Sequence, residues 1–211
     1  MKKINKLFFV VFLFIIYILI SISSYSNAVS NNLSDSVLRL HVIANSNSDE
    51  DQALKYAVRD ELIEYMNSIC LNISTKEEAV NLVTQNLDSF QKIAEDVIKQ
   101  NGFNYNVNLE VGNFDFPSKK YGDISLPAGF YDALKVKIGN ASGKNWWCVM
   151  FPSLCFVDVT NGIVPEESKE TLQTVLDDEE YSLISSENYE YKFKFKLVEL
   201  FENAKIILAQ R

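Results

Sequence analysis

The sequence predicts an α+β domain in which two long helices pack on a mainly antiparallel sheet, with a Trp/Cys-rich hairpin and a C-terminal helix. In two long segments, apolar residues recur at spacings of three and four, as they do on one face of a helix. In several shorter segments they alternate with polar residues, as they do on one face of a strand. Hydrophobic residues make up 47 % of the 211 residues, against 7 glycines and 4 prolines. The chain is therefore long and apolar enough for one globular core and lacks the composition of a disordered segment.

The first segment, residues 1–28, has the organisation of a secretory leader. Three lysines precede an uncharged apolar stretch over residues 7–22, and Ser26-Asn27-Ala28 offers small residues for a signal peptidase that cuts after Ala28. The apolar stretch is shorter than the roughly 20 residues that cross a bilayer comfortably. We therefore expect export, with an uncleaved N-terminal anchor as the alternative. In both cases the rest of the chain lies outside the membrane.

The negative charge of the chain argues against partners that present phosphate groups. The formal net charge is −8, and it becomes more negative without the leader, which contains three lysines and no acid. Such a surface repels phosphate groups, so we expect no nucleic acid partner and no charge-driven binding to anionic membranes.

The core domain is predicted to occupy residues 35–165. Alternating or branched apolar residues predict strands within 34–44, over 105–111 and over 129–138. Apolar stripes predict one helix from about Asp49 to Ile69 and a second from the capping-box pattern at Ser74 to the stop at Gly102. Between the last two strands, residues 116–123 and 126–129 are too rich in turn residues for regular structure, which predicts one long loop or two short ones.

The polar segment over residues 45–51 could be a calcium loop or a helix start. Oxygen-bearing side chains recur at every second position, but Glu50 stands where a calcium loop needs glycine, and Tyr56 stands where it needs a bidentate glutamate. Ser48 followed by three acids is instead the pattern of a helix cap. We therefore predict a capped helix and no metal site here.

Residues 145–159 hold both tryptophans and two of the three cysteines. One interpretation is a buried strand, a proline turn and a second strand, and the other is an exposed aromatic docking patch. Neighbouring residues on a strand point to opposite faces, so Trp146 and Trp147 are predicted to differ in exposure.

The last segment, residues 166–211, is predicted to be an acidic linker and a C-terminal segment. Residues 166–180 read as a short helix and a solvated linker. Residues 189–197 alternate as in a strand, yet residues 193–208 also fit a helix, and we favour a terminal helix from about Lys196.

Reactive side chains are few. Export permits a disulfide, and Cys148 and Cys155 can close a small ring worth about 2–3 kcal/mol, while Cys70 is expected to pack as a small hydrophobe. His41 is the only histidine and no C-x-x-C occurs, so neither a zinc site nor any cofactor is expected. The alternative to a non-enzyme is a secreted thiol hydrolase that uses Cys148 or Cys155 with His41. On a strand, however, an ordinary exposed or core histidine is the commoner case.

Four segments resemble the stage II sporulation protein R family of endospore-forming bacteria. They are LRLHVIANS at residues 38–46, DQALK with VRD within 51–60, KYGD with LPAGFY within 120–131, and NWWC with FPSLCF within 145–156. The resemblance implies a secreted signalling protein in the intermembrane space between forespore and mother cell. It also implies a partner, a membrane-embedded aspartic protease of the mother cell that cleaves pro-sigma-E.

A binding role without catalysis follows from that resemblance as a hypothesis. The partner-binding surface would be built from the residues of the 121–131 loops and of the hairpin, namely Tyr121, Phe130, Tyr131, Trp146, Trp147 and Phe151. The alternative for the same residues is core packing plus a disulfide.

Overall fold

The computed structural model describes residues 2–70, 73–152, 164, 166–185 and 189–209. It confirms a mixed α+β fold. The elements in chain order are α1 (Lys2–Ser36), β1 (Leu38–Ile43), α2 (Asp49–Ile69), α3 (Lys76–Gln85), α4 (Leu87–Gln100), β2 (Val107–Phe116), β3 (Lys119–Tyr121), β4 (Ile124–Leu126), β5 (Gly129–Ile138), β6 (Asn145–Phe151), α5 (Glu166–Val175), α6 (Asp178–Ser185) and α7 (Tyr189–Ala209).

Four strands form one mixed sheet in the order β2-β5-β1-β6. The central pair, β5 and β1, is parallel, and both outer pairs are antiparallel. A parallel pair needs a long crossover, which the helices between β1 and β5 provide. The register sets His41 opposite Trp147 and Leu40 opposite Cys148. Because side chains alternate along a strand, these two pairs lie on opposite faces of the sheet.

One face of the sheet carries α2, α3 and α4, and we call it the helix face. Apolar side chains from strands and helices meet there in the main core, and the fully or nearly fully buried ones include Leu40, Val42, Leu134, Val136, Ile138, Leu54, Val58, Leu62, Met66, Val83, Phe90 and Ala94. Each such side chain contributes roughly 1.5–3 kcal/mol of transfer free energy. The opposite face bears Arg39, and we call it the arginine face. The elements α1, α6, α7 and the β3–β4 hairpin pack on that side.

The helix starts follow the predicted caps. The Ser48 side chain accepts a hydrogen bond from the Asp51 amide, and three acids occupy the first turn of α2. At α3, the Thr75 side chain accepts from the Glu78 amide while the Glu78 carboxylate accepts from the Thr75 amide, which completes a capping box. These local bonds satisfy amides that the helix itself leaves unpaired, so both starts can be predicted from sequence.

The second predicted helix is two helices, and this corrects the prediction of one long helix from residue 74. Asn86 ends α3 and also precedes α4, and its side-chain amide donates to the Leu82 carbonyl at 2.8 Å. A polar side chain that bonds to its own preceding turn competes with helix continuation. The break lets α4 turn so that Phe90 meets Tyr65 of α2 edge to face, with ring centroids 4.8 Å apart.

The turn-rich segment after residue 115 is more regular than predicted. The strand β2 runs on to Phe116, and residues 119–126 form the antiparallel β3–β4 hairpin with Gly122 at its turn, where φ is +57°. Only the glycine at the turn requires a left-handed backbone, so the remaining residues are free to pair.

The short helix predicted after residue 166 is present as α5, but the solvated linker predicted after it is replaced by a second packed helix, α6, which is a second correction. Leu172 in α5, Leu176 just after it, and Leu183 and Ile184 in α6 are at most 6 % exposed. The terminal helix is confirmed, but it already begins at Tyr189, so the strand pattern over 189–197 was misleading.

The helix α1 is continuous through the predicted cleavage site after Ala28. Its apolar stretch is exposed between Leu7 and Ile20, whereas Leu33 is fully buried. A cut after Ala28 would leave Leu33 in the core, and the cut itself stays a prediction. No helix in the part of the chain that the structure describes is long and apolar enough to span a bilayer.

Candidate docking surface

His41 lies on the arginine face and is only 5 % exposed. Its ring stacks on Trp147, with centroids 3.6 Å apart and planes inclined by 18°. Its Nε2 lies 2.8 Å from Asn145 Oδ1. Burial lowers the pKa of His41 to about 4, although the hydrogen bond to Asn145 acts in the opposite direction. The ring is therefore neutral at physiological pH and sits in an aromatic stack.

Cys148 cannot act with His41 as a nucleophile and base. It lies opposite Leu40, on the other face of the sheet from His41, and it is buried and disulfide-bonded. This arrangement excludes the Cys148–His41 form of the thiol hydrolase hypothesis, which needs the two side chains within hydrogen-bond reach. Cys155 lies outside the described residues, so its pairing with Cys148 or with His41 stays a prediction.

Cys70 is a free, partly buried thiol at the end of α2, and burial raises its pKa. It packs against the core, as predicted for a small hydrophobe. Within the described ranges, no three His, Cys, Asp or Glu side chains come together as metal ligands would.

Arg39 is fully buried in a cage of aromatic rings. Its guanidinium carbon lies 4.2 Å from the ring centroid of Phe116 and 4.9 Å from that of Tyr131. Its Nη2 donates to Tyr121 Oη at 2.5 Å, while Nη1 has no hydrogen-bond partner. Burying a cation costs free energy unless aromatic rings and hydrogen-bond acceptors replace the water molecules that it loses. Around Arg39 this replacement is incomplete, because Nη1 is left without an acceptor.

Three of the residues predicted to bind a partner belong to the core. Tyr131 is fully buried, Phe151 is 4 % exposed and Tyr121 is 8 % exposed. The Tyr121 hydroxyl donates to the Trp147 carbonyl at 3.2 Å and the Tyr131 hydroxyl donates to the Pro127 carbonyl at 2.9 Å. Burial raises the pKa of both phenols, so both stay neutral. Tyr121 holds the β3–β4 hairpin to the sheet, Tyr131 bonds to the segment before β5, and the side chains of all three residues are buried.

The other three predicted residues retain exposed area. Phe130 is 40 % exposed at the start of β5. Trp147 is half-buried, with one side against His41 and its ring centroid 4.7 Å from that of Phe116. Trp146 is half-buried on the helix face, so the two tryptophans do point to opposite faces, although neither is fully core or fully surface.

Trp146 forms a partly exposed cluster with two residues of α2, and we call Tyr56, Arg59 and Trp146 the Trp146 patch. The guanidinium carbon of Arg59 lies 4.3 Å from the Trp146 ring centroid and 4.9 Å from that of Tyr56. The two rings meet edge to face at 5.4 Å, and Tyr56 is 39 % exposed. Tryptophan, tyrosine and arginine are the residue types that dominate binding energy at protein interfaces.

A buried lysine lies beneath this patch. Lys55 is 1 % exposed, and its Nζ donates to Gln52 Oε1 at 2.7 Å and lies 4.5 Å from the Tyr56 ring centroid. Its pKa is lowered by burial first, and then by the nearby cations Arg59 and Lys144. The amino group of Lys55 therefore lies directly beneath the patch.

A polar network sets α2 against the start of β6. Asn45 donates to the Asp51 carboxylate at 2.8 Å and accepts from the Asn140 amide at 2.9 Å, and Asn47 accepts from the Lys144 amide at 2.8 Å. Burial raises the pKa of Asp51, but hydrogen bonds from Ser46 and Asn45 outweigh it and lower the pKa below its ordinary value. The turn after β1 and the turn before β6 are thus joined, which holds Arg59 and Trp146 side by side.

Sequence reasoning missed Tyr56 and gave Lys55 and Arg59 no role. Their spacing of three and four on α2 places them on one side of the helix, which was the available signal. The sequence contained no sign that this side would face Trp146.

Comparison with known proteins agrees with the resemblance of the four segments. The family model described as Stage II sporulation protein R matches residues 34–161. The stage II sporulation protein R of Bacillus subtilis (strain 168) is 37 % identical over 150 residues, which cover 68 % of this chain and 67 % of that protein. No solved structure matches the chain significantly. The matched region includes the sheet, the arginine cage and the Trp146 patch, and the chain belongs to the stage II sporulation protein R family.

Proposed function

We propose that this protein is an exported signal of sporulation that binds and activates a membrane-embedded aspartic protease, which then cleaves pro-sigma-E. Membership of the stage II sporulation protein R family supports the sporulation role. The observation that carries a binding mechanism is the partly exposed cluster of Tyr56, Arg59 and Trp146, which joins α2 to β6.

The proposed mechanism is binding without chemistry by the signal itself. The only histidine is buried in a stack, and Cys148 lies on the opposite face of the sheet. A ligand activates a protein only to the extent that it binds the active state more tightly than the inactive state. The signal must therefore contact a part of the protease that differs between those states.

The Trp146 patch replaces most of the docking surface predicted from sequence. Arg59 lies against both rings, so its side chain is ordered before any partner arrives, and less conformational entropy is lost on binding. Phe130 and Trp147 keep exposed area and remain secondary contact residues in this proposal.

Export through the leader would place the protein in the space between forespore and mother cell. Cleavage after Ala28 would release a domain that keeps Leu33, whose side chain is fully buried. An uncleaved leader would instead hold the same domain at the membrane, and the intact mass of the extracellular form distinguishes the two cases.

Reconstitution in non-sporulating cells tests the proposal. The protein is co-expressed with the protease and pro-sigma-E, with and without residues 1–28, and processing is followed by immunoblot. Processing that needs both the protein and its leader supports an exported activator. Absence of processing with the complete, exported and folded protein contradicts it.

Paired tryptophan variants separate docking from folding in the same assay. Because Trp146 is also half-buried and packs against the core, Trp146→Ala should cost some stability. It should nevertheless abolish processing in exported protein that still shows the wild-type circular dichroism spectrum. Trp147→Ala removes the stack on His41 and should act through stability, at a cost of about 2–4 kcal/mol for a large, half-buried aromatic side chain. Equal loss of folding in both variants would remove the case for docking through Trp146.

A further inference from the structure

We infer that the Trp146 patch, together with Lys55 and Lys144, binds an acidic segment of a protein partner, in which an Asp or Glu carboxylate meets Arg59. The inference deepens the proposed function and rests on it for the identity of the partner.

Charge complementarity is the first argument. Lys55 Nζ lies 4.5 Å and the Arg59 guanidinium carbon 4.9 Å from the Tyr56 ring centroid, so the two cations share one ring. The charges of Arg59 and Lys144 lower the pKa of Lys55, after the larger effect of burial. Lys55 makes its hydrogen bonds to neutral acceptors, the Gln52 side chain and the Lys144 carbonyl. The partly buried Arg59 and the exposed Lys144 therefore lie near the buried Lys55, on a chain whose formal net charge is −8. A local positive site on an acidic protein selects a short anionic group.

The second argument is the geometry of Arg59. Its guanidinium lies over two rings, and its ion pair is with Asp60, the next residue in the chain, at 2.6 Å. Asp60 has a side chain that is 61 % exposed, and such a surface pair contributes little to stability. An incoming carboxylate can join or replace Asp60 at small cost. It would find a planar donor group already stacked in place, which is how arginine recognises carboxylates.

The third argument is burial of the charge beneath the surface. Lys55 is 1 % exposed, so its ammonium cannot swing into water. Because little water screens Lys55, its positive charge attracts an anionic group placed over Tyr56 more strongly than the charge of a freely solvated lysine would. The patch therefore offers aromatic area for apolar contact and a positive field for one or two acids.

An acidic peptide segment fits this surface better than other anionic or apolar occupants. A purely apolar helix would cover Arg59, Asp60 and Lys144 without a polar group to replace the water that they lose, which is costly. An anionic bilayer meets the whole acidic molecule and is repelled by it, whereas a short segment reaches only the patch. A second copy of the chain would bring the same net negative charge.

The test uses charge reversal with a matched control. The full-length protein is measured for binding to the detergent-solubilised protease as wild type and as Arg59→Glu, Lys144→Glu and Lys92→Glu. Lys144 and Lys92 are both exposed, but Lys92 lies on α4, outside the patch. We expect Arg59→Glu to weaken binding by about tenfold or more, Lys144→Glu by several-fold and Lys92→Glu by less than about twofold. Wild-type binding should also weaken as salt rises, because screening shortens the reach of the charges.

A compensating substitution makes the test specific. Replacing one Asp or Glu on the exterior surface of the protease by Lys should restore binding to Arg59→Glu and weaken binding to the wild type. Unchanged binding by both Arg59→Glu and Lys144→Glu would overturn the inference, as would equal losses in Lys92→Glu. Arg59-dependent binding to phosphatidylglycerol and phosphatidylcholine vesicles, without binding to the protease, would also overturn it in favour of a lipid surface.

Failure of the inference can be told apart from failure of the proposed function. If the wild type triggers no processing of pro-sigma-E, the proposed function is wrong. If the wild type triggers processing and Arg59→Glu, folded to the same extent, triggers as much, the function stands and the acidic-segment inference is wrong. If Arg59→Glu does not fold, the exposed Lys144→Glu variant and the salt dependence decide the question.

Discussion

His41 on the central strand β1 stacks on Trp147 of β6, with ring centroids 3.6 Å apart. The contact joins cross-strand neighbours, and the Nε2–Oδ1 approach to Asn145 at 2.8 Å fixes the ring. A stack of this kind adds about 0.5–1.5 kcal/mol to the burial of the two side chains. The only histidine of the chain is thus a structural residue, and it couples stability to pH.

We expect the stability of the protein to fall as pH falls from about 6.5 towards about 4. The pKa of His41 is lowered from 6.5 to about 4 in the folded state, mainly by burial. Below about pH 6.5 the unfolded chain therefore takes up a proton that the folded chain excludes. The stability that comes from keeping His41 neutral is fully present above about pH 6.5 and is lost as the pH falls towards about 4. Urea unfolding between pH 6.5 and 4 should show that the free energy of unfolding falls more steeply with falling pH for the wild type than for His41→Phe, which keeps a stacking ring. Equal slopes would contradict the assignment.

Tyr121→Phe should destabilise the protein more than Arg39→Met. The first change removes the hydroxyl that accepts from Arg39 and leaves a buried cation with one acceptor fewer, at a cost of about 1–3 kcal/mol. The second removes the cation itself and leaves the hydroxyl bonded to the Trp147 carbonyl, so its cost should be near zero or negative. Tyr131→Phe, which loses only a bond to the Pro127 carbonyl, is the control and should cost about 1 kcal/mol. If urea denaturation shows a larger loss of unfolding free energy for Arg39→Met than for Tyr121→Phe, the aromatic cage satisfies Arg39 and the prediction is wrong.

Gly143→Ala should destabilise the fold by at least about 2 kcal/mol. A Cβ at Gly143 would lie 2.1 Å from the Ser46 carbonyl oxygen, which is backbone and cannot turn away. The turn before α2, which contains Ser46, and the turn before β6, which contains Gly143, would have to move apart. Gly112→Ala is the control, because its Cβ would meet the Phe114 ring at 3.2 Å and a side chain can give way. Thermal unfolding of both variants measures the difference, and similar melting temperatures would contradict the close approach at Gly143.

One thiol should react when the exported protein is denatured without reductant. The chain has three cysteines, of which Cys70 is free and Cys148 is disulfide-bonded. In the native state Cys70 should react slowly with alkylating agents at neutral pH, since burial raises its pKa and lowers the thiolate fraction. Thiol titration followed by peptide mapping also tests the predicted Cys148–Cys155 bond. Three reactive thiols in the secreted protein would contradict it.

Elements with local causes could be predicted from sequence. The caps at Ser48 and Thr75, the strand from Gly129 to Ile138 and the long helix that follows Ser48 all depend on neighbouring residues and on one periodicity. The family could also be recognised, because its segments are short and contiguous. The division at Asn86 was missed because the apolar stripe continues across it.

The arginine face shows why two of the predicted docking residues, Tyr121 and Tyr131, are buried. Tyr131 and Tyr121 looked like aromatic anchors on loops, but Arg39 is buried between them and draws both rings into the core. A charged residue inside a strand pattern is normally assigned to the surface, and no local signal marked this one as an exception.

The helix starts, the strand alternation, the acidic balance and the family can be read from residues that lie close together in the chain. Which aromatic residues are exposed, and the contact of Arg59 with Trp146, follow from the folded structure alone. That contact requires the β1–β6 register and the network around Asn45, which joins two turns remote in sequence. How deeply a side chain is buried, and which charged group it meets, depend on many contacts between residues that are distant in the sequence. A short stretch of sequence therefore cannot predict them.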